Sequence, residues 1–88
     1  MSLSSGDNPQ FGQVTLSTTA AQLGPQVCNA SILQNDPGNT VNILLGNATN
    51  QYFQLQPGQA VSIPCSNLNQ IYAVAASSTP KLNWITVS

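Results

Sequence analysis

The chain has 88 residues and a net charge of −1, with three charged side chains (Asp7, Asp36 and Lys81) and no histidine. A single lysine cannot neutralise the phosphates of a nucleic acid, which argues against nucleic-acid binding. Such a short chain forms one domain and buries only roughly 60% of the surface that its unfolded form exposes, so association with other chains is a natural source of extra stability.

The N-terminal segment differs in composition from the rest of the chain. Residues 1–12 are rich in Ser, Gly, Asn and Pro, which predicts a flexible N-terminal arm that could reach a neighbouring subunit, with Phe11 as an anchor near its end. The segment has no apolar signal-peptide core, and no apolar run approaches the roughly 20 residues of a membrane helix. We therefore expect a soluble protein made in the cytoplasm, with no membrane partner.

The remaining residues, 13–88, alternate short β-type segments with turns. A short helical turn is predicted around 19–23, and Asn35-Asp36-Pro37-Gly38-Asn39 is a strong turn signal in which Asp36 caps the turn. Another loop or short helical turn is predicted over 66–70. Period-two alternation and β-branched content predict strands at 14–17, 27–34, 40–45, 52–55, 60–63, 71–76 and 82–87.

Alternation also predicts which side chains share a face. In the last strand, one face carries Leu82, Trp84 and Thr86, and the other carries Asn83, Ile85 and Val87. Tyr52 and Phe53 are neighbours, so one is expected to point inward and the other outward. Short strands spaced about 8 to 14 residues apart predict an all-β, single-domain antiparallel β-sandwich of the jelly-roll or Ig-like type.

The residues that catalysis or metal binding would need are scarce. Without histidine there can be no Ser/His/Asp or Cys/His unit. Asp7 lies in the predicted arm and Asp36 in a turn, so a paired-carboxylate site is not expected. We predict no catalytic residue, no metal site and no cofactor, and therefore a protein that is not an enzyme.

The two cysteines, Cys28 and Cys65, leave two interpretations open. They could form a disulfide bond between two strands, or they could be free thiols that fill small spaces in the core. Two cysteines do not make a disulfide framework, and the residues favour free thiols.

Three segments of the chain carry a recognisable pattern. They are Val41-Asn42-Ile43-Leu44-Leu45-Gly46-Asn47, the stretch FQLQPGQAVSIP at 53–64, and NLNQIYAVAA at 67–76. Their order and spacing resemble small virion proteins of tailed phages, and the opening 14–28 fits less specifically. The resemblance covers about residues 13–87 and includes capsid decoration (cement) proteins and domains of head or tail fibres.

This resemblance implies a β-sandwich that attaches to a virion lattice. The expected function is that of a cement protein, which binds the major capsid protein on the capsid surface, as a homotrimer, and stabilises the head. The resemblance implies no catalytic residues. The alternative is a fibre or adhesin-type module in which an exposed aromatic ring and neighbouring amides bind a host-surface glycan.

Overall fold

The computed structural model describes residues 9–87, which form eight β-strands and a single turn of 3-10 helix. Within this part of the chain, no helix is long and apolar enough to cross a membrane. The strands are β1 Gln10–Thr15, β2 Ala21–Gln22, β3 Ala30–Asn35, β4 Ile43–Gly46, β5 Gln51–Leu55, β6 Ala60–Ile63, β7 Tyr72–Ala75 and β8 Lys81–Val87, and the 3-10 helix is Leu68–Gln70.

The strands form two four-stranded antiparallel sheets. Sheet A has the order β1-β8-β3-β6, and sheet B has the order β2-β7-β4-β5. The pairs β1–β8, β2–β7, β3–β6 and β4–β5 are nested, as in one long hairpin rolled up on itself. This is the jelly-roll arrangement of two Greek keys, so the predicted all-β sandwich is confirmed and its topology is the jelly roll.

Because apolar and polar side chains alternate along the strands, each sheet has one apolar face, and the two apolar faces pack against each other. In β8, Leu82 and Thr86 are buried and Trp84 packs on the core, which confirms the face predicted for the last strand. The Trp84 ring lies so close to Gly12 on the neighbouring strand that a Cβ there would overlap it. The core consists almost entirely of aliphatic side chains: Leu16, Leu23, Leu33, Ile43, Leu45, Leu55, Leu68, Ile71, Ala73, Ala75 and Leu82.

A buried amide side chain joins the two sheets through this core. Asn35, at the end of β3, is fully buried and donates hydrogen bonds to the carbonyl oxygens of Val41 (3.0 Å) and Leu55 (2.9 Å). Its own side-chain oxygen accepts a hydrogen bond from Asn39 at 2.6 Å. Because Leu55 belongs to β5 of sheet B, this one amide holds the end of sheet A against the facing sheet.

Three expectations about local structure were wrong. Strand β1 begins at Gln10, so the last three residues of the predicted arm 1–12 belong to sheet A, where Phe11 pairs with Ile85. Residues 1–8 of that arm lie outside the described residues. The helical turn expected around 19–23 does not form, because Ala21–Gln22 is a short strand that pairs with β7. The turn expected over 66–70 is confirmed by the 3-10 helix.

The third error concerns Tyr52 and Phe53, of which one was expected to point inward and the other outward. Both rings are exposed, at 83% and 53%. The β4–β5 register shifts between Leu45 and Gly46, so Phe53 pairs with Leu45 while Gly46 pairs with Gln51, and Tyr52 is left over as a bulge. A bulge breaks the period-two rule, since two residues on one strand then oppose one on the other.

We predict that Asn35→Ala lowers the free energy of unfolding by roughly 3 kcal/mol, because two carbonyl oxygens lose their donor and each lost partner in the interior costs about 1–3 kcal/mol. Urea unfolding followed by circular dichroism measures the change. The matched control is Asn50→Ala, which removes an exposed amide from a turn and should change stability by less than about 0.5 kcal/mol. Equal losses in the two variants would contradict the bridging role of Asn35.

Candidate assembly surface

The outer face of sheet A carries a row of apolar side chains that crosses three strands. Phe11 on β1 lies opposite Ile85 on β8, and Ile85 lies opposite Ile32 on β3. The three side chains are 70%, 38% and 46% exposed. Directly opposed residues in antiparallel strands have Cβ atoms about 4.5–5.5 Å apart. These residues therefore form one continuous patch, called the apolar row below.

The next row on the same face consists of amides that hydrogen-bond across the strands. Gln13 donates to the Asn83 side chain at 2.8 Å, and Asn83 donates to Gln34 at 3.2 Å. Gln13 and Asn83 also each donate to the Asp36 carboxylate, at 3.2 and 3.3 Å. This amide row fixes the side chains that border the apolar row and leaves the surface polar but uncharged over most of its area.

A shallow groove of about 200 Å³ lies where the two rows meet. Its walls include Ile32 and Ile85 from the apolar row, Gln34 and Asn83 from the amide row, and Ala60 from β6. Since hydrophobic side chains line most of the groove, it can receive an apolar side chain from a partner.

The edge strands of the two sheets expose further backbone groups at the sides of the sandwich. β1 and β6 are the edges of sheet A, and β2 and β5 are the edges of sheet B. An edge strand presents unpaired N–H and C=O groups, and proteins ordinarily protect such edges with charged side chains. The only charged residues in the described part of the chain are Asp36 and Lys81, and neither belongs to an edge strand.

A second exposed apolar site lies at the side of the sandwich where β5 faces β6. A groove of about 310 Å³ opens there. Tyr52 stands on the bulge of the adjoining edge strand. The groove is lined by Leu45, Gly46, Phe53, Ile63, Pro64, Cys65, Gln70 and Ile71.

The two cysteines meet at the end of this groove. Their Sγ atoms are 3.3 Å apart, and both thiols are free, as the sequence favoured. The Cys28 thiol also contacts the Cys65 carbonyl oxygen at 3.3 Å, and the Cys65 thiol contacts the Ser31 hydroxyl at 3.6 Å. Cys28 is only 2% exposed. Its pKa is raised to about 11, mainly by burial and to a smaller extent by the hydrogen bond to Cys65 and the charge of the Cys65 side chain.

The charged residues that the sequence singled out take up turn and surface positions. Asp36 accepts a hydrogen bond from the Gly38 amide at 2.8 Å, which confirms its predicted capping role. Lys81 is exposed, and Asp7 lies outside the described residues. Within residues 9–87, no group of three or more His, Cys, Asp or Glu side chains is placed to hold a metal ion.

Sequence reasoning missed the apolar row because it depends on strand register. The alternation of β8 correctly put Ile85 on the face opposite Leu82. Which residues of β1 and β3 lie beside Ile85 follows only from the pairing of strands that are distant in the chain. Phe11 was also assigned to the arm and so was not considered part of a sheet.

Comparison with known proteins gives a likeness of fold. No protein-family model and no curated protein matches the chain. One solved structure, described as "Bacillus endospore appendages form a novel family of disulfide-linked pili", matches with a TM-score of 0.64 over 99% of this chain and 94% of that chain. The two sequences are 14% identical, so the likeness concerns the jelly-roll fold.

Proposed function

We propose that the chain is a non-enzymatic structural subunit that acts by packing against further copies of itself in a protein array. The observation that carries the proposal is the apolar row, which is continuous across three strands and lies on an almost uncharged face. Monomeric proteins rarely leave contiguous apolar patches exposed unless the patch has a partner.

The low charge of this face is the reason for proposing a second copy of the chain as the partner. Two identical surfaces repel each other when both carry the same charge. The amide row consists mainly of groups that both donate and accept hydrogen bonds, and its one carboxylate, Asp36, is already hydrogen-bonded to Gln13 and Asn83, so this face carries little charge to repel a copy of itself. The apolar row alone is smaller than the roughly 800 Å² per partner of a stable interface. The amide row and the edge strands β1 and β6 would therefore contribute the remaining contact.

The fold is compatible with such a role. Jelly rolls occur in viral capsid proteins and in lectins, and the matching structure is that of a pilus-forming appendage. Fold alone does not assign function. The proposal therefore depends on the exposed surface, and the fold likeness is compatible with it, because the matching structure is described as belonging to appendages that form pili.

We predict that the double variant Phe11→Gln/Ile32→Gln weakens self-association by roughly a hundredfold, because each exposed apolar side chain buried at an interface contributes about 1.5 kcal/mol. Sedimentation velocity over a range of protein concentrations measures the association. The melting temperature of the monomeric variant should be nearly the same as that of the unmodified monomer, since both side chains already face solvent in the single chain.

The matched control for this experiment is Val27→Gln. Val27 is an exposed apolar residue, 67% accessible, that lies outside the apolar row. The Val27→Gln substitution should leave self-association unchanged. If the double variant associates as strongly as this control, or if the unmodified chain stays monomeric at all concentrations, the apolar row is not an assembly surface.

The quoted motifs favour one particular array, the capsid of a tailed phage. In that setting the subunit would be a cement protein, forming a trimer that binds the major capsid protein on the capsid surface. Its contact would be apolar and amide-based like the face described above. No ligand or cofactor takes part in such a mechanism, which works by raising the free energy needed to separate neighbouring capsomers.

We predict that attachment to capsids changes by less than roughly threefold between low and high salt, because screening acts on charges and this chain has three. Quantitative mass spectrometry of particles purified at each salt concentration gives the number of copies bound. A steep loss at high salt would contradict an uncharged interface, and a few copies per particle would favour a tail or fibre location.

The exposed Tyr52 and Phe53 keep the glycan-binding alternative open to test. Their rings are adjacent on the edge strand β5, and Gln51 and Gln54 flank them. A glycan array distinguishes the two functions. Binding that Tyr52→Ala abolishes would favour the adhesin-type module, whereas we expect no binding, because a side chain on a bulge lacks the flat sheet platform that stacks sugar rings.

A further inference from the structure

The thiol pair occupies a defined place in the jelly roll. Cys28 lies just before β3 and Cys65 just after β6, and these two strands pair along sheet A. The backbone is already joined beside the thiols, since the Cys28 amide donates to the Ser66 carbonyl at 3.1 Å. Sγ atoms 3.3 Å apart need to close by about 1.3 Å to reach the roughly 2 Å length of a disulfide bond.

We propose that Cys28 and Cys65 are a site of intramolecular disulfide formation, which small-molecule disulfides such as oxidised glutathione can oxidise in the folded chain. The bond would connect the segment before β3 to the segment after β6. It would therefore reinforce a single subunit covalently, and this goes beyond the non-covalent packing proposed for the apolar row.

The reaction has a direction because the two thiols differ in access. Cys65 is half-buried and lines the 310 Å³ groove, whereas Cys28 lies behind it in the core. Cys65 as the thiolate attacks one sulfur of oxidised glutathione, which forms a mixed disulfide and releases one glutathione thiolate. That thiolate takes up the proton that Cys65 gave to solvent.

Cys28 completes the bond in the second step. Its sulfur attacks Sγ of Cys65, the Cys65–glutathione bond breaks, and the departing glutathione takes up the proton that Cys28 loses. In total, two protein thiols are oxidised and one glutathione disulfide is reduced to two glutathione thiols. Because the pKa of Cys28 is raised to about 11, this step should accelerate as pH rises from neutral towards that value.

The experiment uses the full reduced chain, incubated under native conditions with oxidised glutathione and quenched with acid. Intact-mass spectrometry should show loss of two hydrogen atoms, no bound glutathione and a monomeric product on a non-reducing gel. Peptide mapping should then identify Cys28 linked to Cys65. The oxidised chain should melt roughly 10 °C or more above the reduced chain, because the bond closes a long loop in the unfolded state.

Two single variants test the order of attack. Cys28→Ser should accumulate one glutathione on Cys65, since nothing can displace it, whereas Cys65→Ser should take up none while folded. The double variant Cys28→Ser/Cys65→Ser is the control, and its melting should not respond to the oxidant. Circular dichroism confirms that each variant keeps the β-sheet spectrum.

Three results would overturn the proposal. The first is a wild-type chain that stops at the mixed disulfide at every pH up to 11. The second is a disulfide that links two chains in place of Cys28 and Cys65 of one chain. The third is modification of Cys65→Ser as fast as of Cys28→Ser. The peptide map of the wild-type chain decides the pairing even if a variant fails to fold.

Discussion

The hydrogen bonds of Asn35 are the interaction on which the relation between the two sheets depends. The core around it is aliphatic, and because the hydrophobic effect is non-directional, it specifies the alignment of the two sheets less sharply than hydrogen bonds of fixed geometry do. The amide of Asn35 reaches from β3 to the Leu55 carbonyl on β5 and to Val41 in the intervening connection. A buried polar group of this kind is costly unless every partner is in place, and it therefore favours a single alignment of the sheets.

The same choice of amides in place of charges extends to the outside of the molecule. Gln13, Asn83 and Gln34 form a hydrogen-bonded row on the outer face of sheet A, where most proteins would place lysines and glutamates. The low charge of the sequence thus has a structural counterpart, which is an outer face whose polar groups are mainly amides.

The local sequence pattern was enough to predict the fold class, whereas the composition of the apolar row depends on the register between paired strands. Period-two alternation was enough to place Leu82 and Ile85 on opposite faces, and the turn around Asp36 formed as its residues require. The bulge that exposes Tyr52 lies in the hairpin of the neighbouring strands β4 and β5. The alignment of Phe11, Ile85 and Ile32, in contrast, depends on pairing between strands that are distant in the chain. No local window of sequence contains that information, because a one-residue slip of a strand reverses every face.

The two polar sites at the ends of β3 lie apart from the residues of the proposed assembly surface. Asn35 secures the C-terminal end of the strand to sheet B, and Cys28 meets Cys65 beside its N-terminal end. Ile32 lies between them, but its side chain points the other way, to the outer face. Oxidation of the thiols would therefore stiffen the strand that carries part of the apolar row without altering the row itself. The proposed oxidation would thus make the single subunit more stable, while the proposed contacts with neighbours would remain non-covalent and reversible.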